Sequence, residues 1–192
     1  MSQSHGSGDT VLEKPTIELR TLSVALSVTR KQWVRHLMNV YNALDVEIYA
    51  KHSDALVRFA TGLVGPADAA DVVSEAVLRA MTHRNWKNVT NHRAYLYRSV
   101  VNESKMHHRA TMRRRAREIR VFSDDVDYIP EVRPDVLEAV GRLSTQQKAS
   151  VFLTYWEDLT PSEVALRLGI GEGSVRRHLA RARAKLKGVL DD

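Results

Sequence analysis

The sequence predicts an all-α protein built from two small helical domains joined by an acidic linker. Three observations carry this expectation. Apolar residues recur at steps of three and four, and no run alternates with the period of two that marks a strand. Composition then turns abruptly from basic to acidic and proline-containing at Phe122. At 192 residues there is room for two units of roughly 60 to 80 residues each.

Composition narrows the function classes. Hydrophobic residues make up 43% of the chain, enough to bury a core, and the formal charge of +6 favours a polyanionic partner, either nucleic acid or an acidic membrane surface. Cysteine is absent, which excludes disulfides and thiolate metal sites and is compatible with a reducing compartment. No apolar stretch approaches the roughly 20 residues of a membrane span. The N-terminus lacks the basic-then-apolar order of a signal peptide, so a cytoplasmic location is expected.

Residues 1–27 are rich in Ser, Gly and Thr and are expected to form a flexible extension. The first domain is expected over residues 28–117. Trp33, Leu37, Val40, Tyr41 and Leu44 form one helical stripe; Ile48, Leu56, Phe59 and Leu63 form a second, ended by Gly65-Pro66. Asp68 is placed to cap the next helix, which runs to about Met81, and Asp71 adds a favourable dipole term. Asn85, Asn88 and Asn91 mark a loop around Trp86. A long helix follows from about His92 to Arg120, apolar on one face at Tyr95, Leu96 and Val100. Its second half is almost wholly basic: Lys105, His107, His108, Arg109, Arg113, Arg114, Arg115 and Arg117.

Residues 118–134 form the linker, with Asp124, Asp125, Asp127, Pro130 and Glu131. The second domain, 135–192, begins with a short helix through Leu137, Val140 and Leu143. A helix from Thr145 to about Trp156 follows, with Ala149, Phe152 and Leu153 inward. Thr160 is then an N-cap, Pro161 the first helical residue, and Glu163 the partner in a capping box. Gly169 stands where a turn needs positive φ, and Ile170 plugs the corner. Val175, Leu179, Ala182 and Leu186 make one buried stripe on the final helix. The opposite face carries Arg176, Arg177, Arg181, Arg183, Lys185 and Lys187 without an acid among them. A recognition helix needs this division, an apolar face to seat it and a cationic face for phosphates and base edges. The competing structure is a helical hairpin with a merely solvated charged surface.

Asp68, Asp71 and Glu75 fall near one helix face, yet no histidine is placed to join them, so neither a metal nor any other cofactor is expected. No carboxylate–histidine set or Gly-rich phosphate loop suggests catalysis, and no catalytic residue is assigned. The run from Trp86 to Arg98 interleaves aromatic, Asn and Arg residues. It suits unstacked bases, each stacking contact contributing roughly 1–3 kcal/mol; the alternative is that Trp86 and Tyr95 are core, which for Tyr95 fits as well as base contact.

The order of acidic helix, Ala94-Tyr-Leu-Tyr-Arg-Ser-Val-Val-Asn-Glu103, Arg-rich tail, acidic linker and helix-turn-helix resembles the extracytoplasmic-function sigma factors of bacterial RNA polymerase. The likeness covers about 150 residues in the order of both domains. It implies that Asp68, Asp71, Glu75 and Arg79 bind the coiled coil of the polymerase β′ subunit. It also implies that Trp86, Asn88, Asn91, Tyr95, Tyr97, Arg98, Asn102, Lys105 and Arg109 melt and read the −10 promoter element. Ser174, Arg176, Arg177, His178 and Arg181 would read the −35 element in the major groove. The implied partners are core polymerase, through β′ and β, and promoter DNA, with an anti-sigma factor as a further candidate. Tyr95 stands where the family usually has tryptophan, Ser74 replaces a common glutamine, and His178 is unusual on the reading helix. The expected design is two separate blocks whose spacing is set only by polymerase. The rivals are a helix-turn-helix regulator that is not a polymerase subunit, a nuclease, and a sigma-like adaptor.

Overall fold

The computed structural model describes residues 43–118 and 134–190. The expected extension, the helix around Trp33 and residues 119–133 of the linker lie outside them; Glu118 and Pro134, expected in the linker, are helical. Among the described residues there is no strand, as the periodicity predicts. Helix α1 spans Ala43–Val64, α2 Pro66–Thr82 and α3 His92–Glu118; a single 3-10 turn, Trp86–Asn88, bridges α2 and α3. The second unit holds α4 (Pro134–Gly141), α5 (Thr145–Tyr155), α6 (Pro161–Leu168) and α7 (Glu172–Leu190).

In the first unit α1, α2 and α3 pack mutually. Val46, Tyr49, Leu56, Phe59 and Leu63 supply the buried stripe of α1. The stripe of α2 is made of Ala69, Val72, Val73, Ala76, Val77, Ala80 and Met81, small side chains that let its neighbours approach closely. The start of α2 corrects the expected cap. Gly65, at φ 91°, is the N-cap and Pro66 opens the helix; Asp68 lies in the first turn and accepts no capping bond from it. Proline is suited to the first helical position because its missing N–H would have no partner there.

The second unit follows the expected grammar closely. The Thr160 hydroxyl accepts the Glu163 N–H while the Glu163 carboxylate accepts from the Thr160 backbone. Gly169 closes α6 in the left-handed region (φ 65°, ψ 38°), and the Ile170 N–H returns to the Ala165 carbonyl. A second capping box, Ser144 with Gln147, starts α5. The Ser144-Thr-Gln-Gln147 pattern carries that signal in the sequence, and it was not among the expected caps.

The hydrogen bonds from Thr160 hold the Glu163 carboxyl below its usual pKa range. A depressed folded-state pKa means that this contribution is full above the unfolded Glu range and fades as pH falls through the folded value. Thr160→Ala removes the N-cap and should therefore lower stability near neutrality. The penalty should shrink in acid, as measured by urea unfolding across pH.

The expectation of two separate blocks requires correction, because one continuous core runs through both units. Helix α5 packs on α1, and α6 packs on α3. Phe152, expected to point into its own domain, lies edge-on to Phe59 at 5.5 Å, and Phe59 meets Tyr97 at 4.8 Å. A Cβ on Gly62 would stand 2.7 Å from the Phe152 ring, so glycine in the last turns of α1 is what admits that ring. Period reasoning places Phe152 on an apolar face without saying whose face it meets.

Candidate nucleic-acid and polymerase interface

Three surfaces of the molecule carry the candidate residues. On α2, Asp68, Asp71, Glu75 and Arg79 fall at steps of three and four, where helical geometry gathers side chains on one side. The group is tied to α3. Arg79 Nε donates to Glu75 at 2.6 Å and lies 3.4 Å from Glu103, while His107 Nε2 is 3.1 Å from Asp68. The hydrogen bond with Glu75 raises the Arg79 pKa further. Desolvation, reinforced by Asp68, raises that of Asp71. Glu103 and His107 therefore belong to this surface, although the α2 sequence gives no sign of either. Among the described residues no group of His, Asp and Glu could hold a metal ion.

On the loop and α3, the nine residues of the −10 set divide by burial. Asn88, Asn102 and Arg109 are exposed; Tyr95, Arg98 and Lys105 are half-buried. Trp86 is not a surface residue. It is 3% exposed, donates through Nε1 to Asp45 at 2.6 Å, and meets His92 and Tyr95 edge-on. It anchors the loop from inside and leaves no face for a base. Asn91 is exposed, but its side-chain oxygen accepts the Ala94 N–H at 2.9 Å and so caps α3. Tyr97 is fully buried, enclosed by Phe59 on one side and by the Arg167 guanidinium, 4.9 Å from its ring centre, on the other. Burial, then the Glu157 carboxylate, pushes its hydroxyl pKa up, with Arg93 and Arg167 opposing. Trp86 and Tyr97 are thus corrected from base contacts to interior residues in this arrangement.

Asp45 is a residue that sequence reasoning missed. Losing its bond would leave a buried indole N–H without a partner, at about 1–3 kcal/mol. Asp45→Ala is accordingly expected to lower stability by that amount in urea unfolding.

On α7 the apolar stripe is confirmed by the burial of Val175, Leu179 and Ala182. Arg176, Arg177 and Arg181 point outward, Ser174 and His178 only partly so. The cationic face is less free of acid than its own residues suggest. Glu172, one turn earlier, accepts from Arg176 Nε at 3.0 Å and Nη2 at 2.6 Å. Ser174 accepts from Arg177 at 3.2 Å. Burial, then Arg181, Arg177 and Lys105, lowers the His178 pKa. Lys105 belongs to the other unit, so the α3 and α7 faces lie within reach of each other's charge.

Comparison with known proteins agrees with this layout. Residues 48–114 match the family model for Sigma-70 region 2, and residues 133–186 match that for Sigma-70, region 4. An RNA polymerase sigma-E factor of Streptomyces antibioticus is 31% identical over 160 residues, 76% of this chain and 83% of the relative. The ECF RNA polymerase sigma factor SigL of Mycobacterium tuberculosis is 30% identical, over 78% of this chain and 90% of its own length. Among solved structures, the sigma factor RpoE of Bartonella quintana, in complex with the anti-sigma factor NepR, shares the fold at a TM-score of 0.54. That match has 23% identity and covers 76% of this chain and 95% of the other. CnrH, in complex with the cytosolic domain of CnrY, aligns with the same score and identity over 82% of this chain and 94% of its own. With both regions present in order, and relatives matched along most of their length, the chain belongs to the extracytoplasmic-function sigma factors of RNA polymerase.

Proposed function

We propose that the α2 face of Asp68, Asp71, Glu75 and Arg79 docks on the β′ coiled coil of core polymerase, and that α3 and α7 read the two promoter elements. The observation that carries this division is the segregation of charge. The acidic group sits on α2, whereas Arg98, Lys105 and Arg109 lie on α3 and Arg176, Arg177 and Arg181 on α7. Opposite potentials let one protein bind a protein surface and a polyanion without competition between them.

Duplex opening without a nucleotide cofactor must be offset by capture of the exposed strand. Stacking holds each step by about 1.4 kcal/mol on average, comparable to the roughly 1–3 kcal/mol of one base–aromatic contact. Tyr95, beside the Arg98 guanidinium at 5.9 Å, is the aromatic side chain of the set that is neither wholly buried nor enclosed. Asn88 and Asn102 supply edge hydrogen bonds, and Lys105 and Arg109 hold the backbone. The protein acts by binding alone, with no chemical step of its own, in the cytoplasm, and its seam between units offers an anti-sigma factor a surface to hold.

Glu75→Arg tests the docking surface. It places a cation beside Arg79 and removes that residue's 2.6 Å partner. Co-elution with core polymerase should fall about tenfold or more, the effect of some 1.4 kcal/mol, while the helical circular dichroism persists. Undiminished co-elution would move the polymerase contact off α2.

A further inference from the structure

Between α3 and α5 lies a cleft of ≈ 510 Å³, within the range of about 300–1,000 Å³ usual for small-molecule sites. Its charge is one-sided. Lys105, His107 and His108 of α3 line it together with Lys148 of α5, and Asp68 is the one acid among the described lining residues. That acid is already engaged, its carboxylate 3.1 Å from His107 Nε2. Both lysines are half-buried. Burial lowers the pKa of Lys148, and burial followed by Arg109 lowers that of Lys105, with no carboxylate opposing either shift. Lys148 Nζ donates to the Leu63 carbonyl at 3.3 Å, which leaves an ammonium with donors to spare.

An ammonium held partly out of water without a counter-charge is costly, and an anion entering the cleft removes that cost. A promoter strand can satisfy Lys105. Lys148 stands on α5, outside the residues assigned to either promoter element, so its anion is a separate one. With Asp68 turned to His107, two ammonium charges remain in the lining. A phosphate monoester carries about −1.5 to −2 near neutral pH, which matches them; a single carboxylate brings less. The volume is many times the roughly 30 Å³ of a water molecule, so a bare phosphate ion leaves most of the cleft empty. The remaining lining suits a neutral, hydroxylated body. Ser144 and Thr145 bring hydroxyls, and Gln146 has a side-chain oxygen buried without a hydrogen-bond partner among the described residues.

We propose that this cleft binds a small phosphomonoester, its phosphoryl group held by Lys105 and Lys148 and its hydroxylated body set against Ser144, Thr145 and Gln146. Sugar phosphates and nucleoside monophosphates share this chemistry. The site stands apart from the roles proposed for α2, α3 and α7 in transcription, and because it binds the folded chain, its ligand raises the stability of the fold by mass action.

Isothermal titration calorimetry on the full-length chain at about 0.15 M salt tests this, with glucose-6-phosphate and adenosine monophosphate as probes. Glucose, adenosine and inorganic phosphate are the controls. The expected result is saturable binding of at least one ester, about tenfold or more tighter than inorganic phosphate, and no binding of glucose or adenosine. Lys148→Met removes the charge and keeps an apolar stem, so it should weaken the ester about tenfold or more, whereas Lys148→Arg should keep most of the affinity. His108→Gln on the opposite wall should act in the same direction as Lys148→Met, which guards against a fold defect peculiar to one variant. The ester should also raise the thermal transition of the wild type more than that of Lys148→Met. The better of the two esters shows whether the body is a sugar or a nucleoside. Failure of both esters to bind, inorganic phosphate binding as tightly as either (an adventitious ion only), or wild-type affinity in both Lys148→Met and His108→Gln would overturn the site and leave the sigma assignment intact.

Discussion

Replacing Arg177 by alanine should weaken discrimination for the −35 element by about 1–3 kcal/mol, roughly 5–150-fold. Arg177 stands on the outward face of α7, one residue beyond the arginine that Glu172 holds, and its own partner is a serine hydroxyl that costs little to release. A guanidinium so placed can present two parallel donors to the O6 and N7 edge of guanine, which a shorter side chain cannot replace. Arg176→Ala is expected to have the smaller effect. Its side chain must first leave the Glu172 carboxylate, an exposed pair of the kind that contributes about 0–1 kcal/mol. Selection of promoters from a randomised library with each holoenzyme reads the difference. Unaltered base preference in both variants would put the reading face elsewhere on the second unit.

The second large effect concerns stability. Phe59 is 0% exposed and touches Tyr97 in its own unit and Phe152 in the other. Phe59→Ala should cost about 3–5 kcal/mol, the range for removing a buried aromatic ring. Set against a typical total of about 5–15 kcal/mol, that is about a fifth of the stability or more. Because the ring belongs to a core shared by both units, urea unfolding should shift as one transition and not as two. A loss under about 1 kcal/mol would mean the aromatic junction is not packed as described. Separate transitions in the wild type would mean that the units fold independently.

Local grammar was legible in the sequence where the rules act between near neighbours. The Thr160–Glu163 box, Gly169 at the turn, the Val175–Leu179–Ala182 stripe and the lack of strands among the described residues all follow from spacing and residue type. Contacts between distant segments were not legible. Trp86 among asparagines and basic residues looks like a base-stacking side chain; its bond to Asp45, 41 residues away, makes it a core anchor. Tyr97 has the same ambiguity, resolved by Phe59 and Arg167 closing over it. Period-two and period-3.6 arguments assign a face to a helix and never its partner, which is why Phe152 and Gly62 gave no warning of the seam. Glu172 escaped notice for a simpler reason: it precedes the basic run by one turn, and helical neighbours lie four residues apart.

Family membership suggested which surfaces to consider, while burial separated the exposed residues of the candidate site from those that shape it from inside. Exposed Tyr155 and Trp156, the latter 76% exposed and stacked on Phe152, lie next to the seam and outside both proposed promoter surfaces. Their position means that anything bound there would also bear on whether the two units stay together.

Reconstitution with core polymerase on a melted-strand assay is the most direct measurement. Permanganate reactivity of thymines near −10 should rise when the wild-type chain joins core polymerase on a selected promoter. It should fall back toward the level of core alone when Arg98 and Lys105 are both replaced by alanine, with polymerase binding retained. Thymines that react equally with and without the chain, or that react as strongly with the double variant, would contradict strand capture by α3.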